Sequence, residues 1–332
     1  MKIGKLLSAT CVSLGLALFA TSCVTQSLVQ YEQLSVAEES GQVFLKLTDE
    51  STETLTSPNV HRTGYGRLQW WGNPLIAISP DGNMIAYNVA KNGNRNIFTR
   101  SLNTKSASTQ RTFRSRVNDV AYSPDGNSLC FSEIDGSNSY IYIASAVQNT
   151  PIRRISPQNV EDYAPSFSKD GSKVFFTRKD GNGYSIWSYD LKTTALNNYC
   201  MGSHPVPIDN ESLLCTRTST KGFSEVWIVN YKKGTESLVL SNENQSYSTP
   251  SLSPDGKWIV LTANTIPNGK MQDENLDIYV VRLNGSQLTQ LTYHRGHDVS
   301  PVWSKDGKHI IFLSQRGTKN GEYNIFQMEF NL

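Results

Sequence analysis

No charge of either sign dominates this 332-residue sequence, in which 31 Lys and Arg stand against 29 Asp and Glu. A nucleic-acid surface needs a clustered basic excess, so nucleic acid is excluded as a partner. Cysteine is scarce, with residues only at positions 11, 23, 130, 200 and 215 and no C-x-x-C pair. That spacing offers neither a zinc site nor an obvious disulfide framework. Cys130 and Cys215 sit in apolar runs and read as small buried hydrophobes, while Cys200 and Cys215 are available to pair in an oxidising compartment. The histidines form no H-x-H or H-E-x-x-H pattern, and no metal or cofactor is expected. No G-x-S-x-G nucleophile elbow occurs. No apolar run reaches the roughly 20 residues of a spanning helix.

What is present begins with a basic start, Lys2 and Lys5, followed by the apolar stretch Leu6 to Ala20 and then "FATSC". This is the pattern of a secretory signal. The small residues Ala20-Thr21-Ser22 directly before Cys23 resemble the lipobox of bacterial lipoproteins, with Ala20 where that motif usually has Leu. The resemblance implies cleavage before Cys23 and acylation of its thiol and new amine by palmitate-type chains. Each buried methylene contributes about 0.8 kcal/mol, and stable anchoring takes more than one chain. Ala20-x-Ser22 also suits ordinary signal-peptidase cleavage, which would release a soluble periplasmic protein. Val24 stands where Asp marks inner-membrane retention in such lipoproteins, so the expected location is the outer membrane, facing the periplasm. The expected organisation is a signal at 1–22, a tether at 23–40 and one domain at 41–332.

That domain repeats itself, which overrides any division by length. Ser-Pro-Asp-Gly begins at Ser79, Ser123 and Ser253, and Ser-Lys-Asp-Gly at Ser168 and Ser304. The serines step by 44, 45, 85 and 51 residues, which leaves one beat missing near Asp209-Asn210. Asn tolerates positive φ, so Asn210 is expected to replace the turn glycine there. Three residues after each turn comes an apolar triplet: Ile85–Tyr87, Leu129–Phe131, Val174–Phe176, Leu213–Cys215, Ile259–Leu261 and Ile310–Phe312. Neighbouring strand side chains point to opposite faces, so each triplet marks a strand covered on both sides. An aliphatic-aromatic pair follows six times, from Ile97-Phe98 to Ile325-Phe326. Six all-β units of about 45 residues, each covered on both faces, predict a six-bladed β-propeller with four strands per blade. The last blade lacks an outer strand, and the alternating Val43, Leu45 and Leu47 predict that residues 43–48 supply it and close the ring.

The stretch "SPVWSKDGKHIIFLSQRGTKNGEYNIF", Ser300 to Phe326, resembles the blades of TolB-like propellers, a WD-repeat-like group also found in dipeptidyl-peptidase relatives. The resemblance covers roughly residues 41–332. Together with the Cys23 lipobox, it implies a lipid-anchored, non-enzymatic platform in the bacterial envelope that binds a protein or peptide. The loops leading into the innermost strands are expected to form the contact rim, for a partner or an ion. They carry Asp119, Glu161, Asp162, Tyr163, His204, His297 and Asp298. Oligogalacturonate lyases resemble the same class and hold a metal through histidines, which makes such a lyase the enzymatic alternative, with His204, His294 and His297 available. Trp70-Trp71 is the basis for a third reading, a saccharide-stacking surface. A polar insertion, Asn264 to Asp277, is expected to loop outside the fifth blade.

Overall fold

The computed structural model describes residues 42–48, 60–62, 68–70, 75–104, 107–147, 151–181, 183–265, 274–317 and 322–331. Six four-stranded antiparallel sheets form the blades of a propeller. From the axis outward, blade one comprises β4 (Ile76–Ile78), β5 (Met84–Lys91), β6 (Asn94–Ser101) and β7 (Thr109–Gln110). Blade two repeats this order with β8 (Val117–Tyr122), β9 (Ser128–Asp135), β10 (Asn138–Ser145) and β11 (Arg153–Arg154). Blade three has β12 (Asp162–Phe167), β13 (Lys173–Asp180), β14 (Gly183–Asp190) and β15 (Leu196–Met201). In blade four the strands are β16 (Ser203–Pro207), β17 (Ser212–Thr218), β18 (Ser224–Asn230) and β19 (Thr235–Leu240). Blade five is built of β20 (Tyr247–Leu252), β21 (Trp258–Thr265), β22 (Asn275–Arg282) and β23 (Thr289–Gln290). Blade six takes β24 (Asp298–Trp303), β25 (His309–Ser314) and β26 (Asn324–Glu329) from the C-terminal part of the chain. Its outer strand is β1 (Phe44–Lys46), antiparallel to β26 with Phe44 opposite Met328. The predicted closure is therefore the one observed.

The apolar triplets are buried throughout, because each second strand is packed between its own blade's neighbours and the adjoining blade. Leu129, Val174, Leu213, Ile259 and Ile310 are all inaccessible to solvent. The turns between first and second strands explain the repeated tetrapeptide. In blade two, Ser123 Oγ donates to Asp125 Oδ1 and accepts from the Ser128 amide. Asp125 in turn accepts from the Asn127 amide at 3.0 Å, and Gly126 takes φ 75°. Glycine occupies that left-handed conformation without a Cβ penalty. Blade four departs from expectation. Asn210 is not in positive φ; instead Asp209 Oδ1 accepts from the amides of Glu211 and Ser212, each at 2.7 Å, in a tighter side-chain-capped turn.

The serine hydroxyls and turn amides hold the carboxyls of Asp81, Asp125, Asp170 and Asp255 below their ordinary 3.8. A depressed carboxylate stabilises the fold above the unfolded pKa, and that contribution is lost as pH falls through the lower folded value. The melting temperature followed by circular dichroism should therefore hold steady down to about pH 4 and fall below it. Changing the four aspartates to asparagine should flatten that acid limb.

Two segments lie differently from the sequence reading. Leu68–Trp70 does not lead into blade one as a loop; it is a strand, β3, paired with β2 (Val60–Arg62) in a separate hairpin. The expected polar loop begins and ends inside strands. Asn264 belongs to β21 and Asp277 to β22, and both are buried, with Asn264 Nδ2 donating to Glu274 Oε1 at 2.8 Å. Residues 266–273 between them lie outside the described residues, as do Cys23, the signal, the tether and Trp71.

Candidate functional site at the axial channel

The innermost strands share an irregularity that shapes the centre of the ring. Each of β8, β12, β16, β20 and β24 shifts register against its second strand. At the shift stand Asp119, Ala164, His204, Thr249 and Ser300, all with φ between 46° and 57°. Side-chain-bearing residues in this region cost on the order of 1–3 kcal/mol each and persist only where the surroundings hold them. Here the surroundings are the next blade. The bulge turns an amide outward, so Ala164 donates to Asp119 Oδ2 at 2.8 Å and His204 to Thr177 Oγ1 at 2.9 Å. Ser300 donates likewise to Thr262 Oγ1 at 3.1 Å, and its hydroxyl accepts from the Leu75 amide at 3.1 Å. The strain is thus exchanged for fasteners between blades.

Such ties, between blades and within them, account for much of the expected contact rim. Asp119 is fully buried and also accepts from Ser132 Oγ at 2.5 Å. Asp162 is fully buried in a two-bond pair with Arg178, at 2.7 and 2.8 Å, while the Arg178 guanidinium stacks 4.5 Å above Trp187. Asp298, also fully buried, pairs with Arg316 at 2.5 Å. Glu161 is more open and pairs with Lys179 at 2.9 Å. Tyr163 packs edge-on against Tyr184, and burial raises its phenol pKa. His204 Nδ1 lies 3.1 Å from Ser203 Oγ and 3.2 Å from Thr216 Oγ1. His297 Nδ1 lies 2.6 Å from Asn275 Oδ1, and burial disfavours its charged form. The three aspartates are consequently internal ties and do not line an exposed acidic rim.

The histidines do not converge either. The His204 ring is engaged within blade four, whereas His294 Nδ1 accepts from the Gly296 amide at 3.0 Å. Among the described residues no group of three or more His, Cys, Asp or Glu side chains is placed to hold a metal ion. These residues do not fit the histidine set of a metal-dependent lyase.

A concave feature lies instead along the axis, towards the Ser-Pro-Asp-Gly turns. It is a cavity of about 500 Å³ lined by the innermost strand of every blade. Half-buried lining residues at one shared register are Ala77, Ala121, Ser166, Val206, Ser251 and Val302. None of these six is larger than Val, although Ile78, Tyr122 and Leu252 also line the cavity half-buried. At the mouth stand Pro80, Pro124 and Pro254, with Lys169 and Lys305 at the same turn position in blades three and six. Burial lowers the Lys169 pKa, so its ammonium is incompletely hydrated. In a six-membered ring, blades three and six face each other across the axis. Of the expected rim residues, only His204 lines this cavity. The overlooked signal was periodic: a small residue two positions before each turn serine, and a hydroxyl or amide at Asn88, Ser132, Thr177, Thr216 and Thr262 after the core triplets.

Comparison with known proteins gives this geometry a context. The family model described as the TolB beta propeller domain matches residues 73–269 and 218–332. The uncharacterized peptidase YuxL of Bacillus subtilis is 28% identical over 171 residues, covering 50% of this chain and 24% of that protein. The Tol-Pal system protein TolB of Francisella tularensis subsp. mediasiatica is 28% identical over 107 residues, covering 32% of this chain and 23% of its own length. The chain thus spans about a quarter of these curated relatives. TolB from Acinetobacter baumannii superposes with a TM-score of 0.62 at 18% identity, covering 75% of this chain and 64% of that one. An oligogalacturonate lyase from Vibrio parahaemolyticus superposes with a TM-score of 0.54 at 13% identity, covering 87% and 97%. At these identities the structures show the fold alone. The expectation of a chain outside enzymology is corrected by these findings, since its relatives include a named peptidase and its fold is shared with a lyase.

Proposed function

We propose that this chain, which belongs to the TolB β-propeller family, is a lipid-anchored binding protein of the bacterial envelope that seats a segment of another envelope protein at its channel mouth. The observation that carries the reading is the cavity of about 500 Å³ open at the turn end and lined by all six blades. Strand backbone fixes its walls and Pro80, Pro124 and Pro254 stiffen its rim, so an extended segment is received with little ordering of the receptor. Preorganisation of that kind raises affinity by lowering the entropic cost of association. Lys169 and Lys305 give the rim two cations suited to a partner's carboxylates. The relatives named as Tol-Pal system proteins support an envelope setting. The Ala20-Thr21-Ser22-Cys23 sequence supports attachment through Cys23, with Val24 favouring the outer membrane.

Two experiments separate the parts of this reading. Filling the channel with Ala121→Trp and Ser251→Trp together should remove the crosslinked species recovered from intact envelopes while the protein stays folded. Unchanged crosslinks in a folded, plugged variant would place the contact elsewhere on the ring. Cys23→Ser should abolish incorporation of labelled fatty acid and move the protein from the membrane to the soluble fraction. Retention of the label by that variant would remove Cys23 as the anchor.

A further inference from the structure

The seam between blades three and four holds a pair of thiols that the ring's architecture does not require. Cys200 lies on β15, the outer strand of blade three, and Cys215 on β17, the second strand of blade four. They are 15 positions apart in sequence but belong to different sheets. Cys215 is fully buried, in a cluster with Phe175, Ile186 and Leu213, and Cys200 packs against that cluster from its partly open side. The chain between them passes so close that a Cβ on Gly202 would sit 3.1 Å from Cys215 Sγ. Gly202 itself takes φ 139°, a conformation that suits glycine. No disulfide joins Cys130, Cys200 and Cys215 in this structure.

The surroundings give the two sulfurs different chemistry. A side-chain hydrogen bond between them lowers the pKa of Cys200 and raises that of Cys215, and Arg217 further favours the Cys200 thiolate. Arg217 is fixed for this by its Nε–H donating to the Met201 carbonyl at 2.9 Å and by two bonds to Glu236 at 2.7 Å. A thiolate is the attacking species in disulfide exchange, and a nearby guanidinium raises its population. The half-open Cys200 is therefore the sulfur an external reagent meets, and the buried Cys215 is placed to resolve what forms there.

We propose that Cys200 and Cys215 are an oxidisable pair that closes into a disulfide between blades three and four in an oxidising compartment. The oxidant is a disulfide-bearing donor, a protein or a small molecule. Cys200 thiolate attacks one donor sulfur, forming a mixed disulfide and releasing the other as a thiolate. Cys215 then loses its proton and attacks Cys200 Sγ, forming the internal bond and expelling the second donor thiolate. Two protein thiols are oxidised and one donor disulfide is reduced to two thiols. The bond would tie two sheets that otherwise meet through side-chain packing and inter-blade hydrogen bonds.

The test uses the full chain, reduced and then exposed to oxidised glutathione, with intact mass and peptide mapping as readouts. The expected product has lost two hydrogens, carries no glutathione, and yields a Cys200–Cys215 linked peptide, with Cys130 still a thiol. Cys215→Ser should instead retain one glutathione on Cys200, and Cys200→Ser should react far more slowly. The oxidised wild type should melt about 5 °C or more above the reduced form, because the bond closes a 15-residue loop. Stable glutathione on Cys200 of the wild type, a link to another chain, or unreacted thiols in folded protein would each overturn the proposal. None of these outcomes bears on the channel mouth.

Discussion

Replacing Phe44 with alanine lowers the melting temperature by about 10 °C, corresponding to a loss of roughly 3–5 kcal/mol for a buried phenyl group. Phe44 stands on the short strand that closes the ring, yet its side chain is buried and meets Phe312 edge-on at 6.2 Å. The Arg316 guanidinium lies 4.0 Å over the same ring while it pairs with the fully buried Asp298. Removing the phenyl therefore opens a cavity and admits water to a buried ion pair at once. The strand continues this fastening beyond its last residue. Leu47 donates to the Ile325 carbonyl at 2.7 Å, and Thr48 Oγ1 accepts from the Ile325 amide at 2.9 Å. Val43, by contrast, is 59% exposed, and Val43→Ala should shift the melt by about 1 °C at most. Deleting residues 41–48 should exceed the Phe44 effect, since it also leaves an uncovered edge on β26. Scanning calorimetry on the three variants checks the order. Equal melting of the deletant and wild type would deny the strand its closing role.

Arg178→Ala carries the second large effect, a loss of about 3–5 kcal/mol, because it strands a buried carboxylate. Its neighbour gives the contrast. Lys179→Ala breaks an ion pair of similar length with the more open Glu161, and exposed pairs contribute only about 0–1 kcal/mol. Two adjacent cations thus have opposite weights, decided by whether their partner is in water. Burial pushes the Asp162 carboxyl above its ordinary value, against the pull of Arg178. Without the arginine that pull is gone, and the folded variant binds a proton that the unfolded chain has released. A raised carboxyl pKa favours the fold at the acid side and loses that benefit as pH rises through the folded value. The Arg178→Ala deficit should accordingly shrink between pH 7 and pH 5, and urea titrations at both values measure it. A deficit that stays unchanged on acidification would show that Asp162 remains a carboxylate in the variant.

The fold was legible because its signal is repeated. A tetrapeptide turn, a buried triplet and an aliphatic-aromatic pair recur at one spacing, and each recurrence repeats the same local physics. The closing strand was legible from Val43, Leu45 and Leu47, whose alternation asks for a sheet with a missing edge. The site was harder to see. Asp119, Asp162 and Asp298 are charged residues at loop-strand junctions, and sequence alone does not say that Arg178 and Arg316 lie within bonding reach. Those arginines are 16 and 18 residues downstream of their partners, on the second strand of the same blade and just beyond it. The channel was missed for the opposite reason. Ala77, Ala121 and Ser251 are unremarkable singly, and only their common register makes them a wall. The Asp209-Asn210 turn shows how an eroded motif misleads: position was conveyed correctly, but Asp209 side-chain capping replaced the positive-φ residue.

The claim that the channel mouth is the contact surface is tested most directly by a photo-crosslinking side chain placed at Val302, which faces the cavity, and separately at Leu238, exposed on the outer strand of blade four. Irradiated in intact envelopes, the Val302 position should capture a protein adduct that the Leu238 position does not, and Lys169→Glu with Lys305→Glu should abolish it. Adducts from Leu238 with none from Val302 would contradict the account.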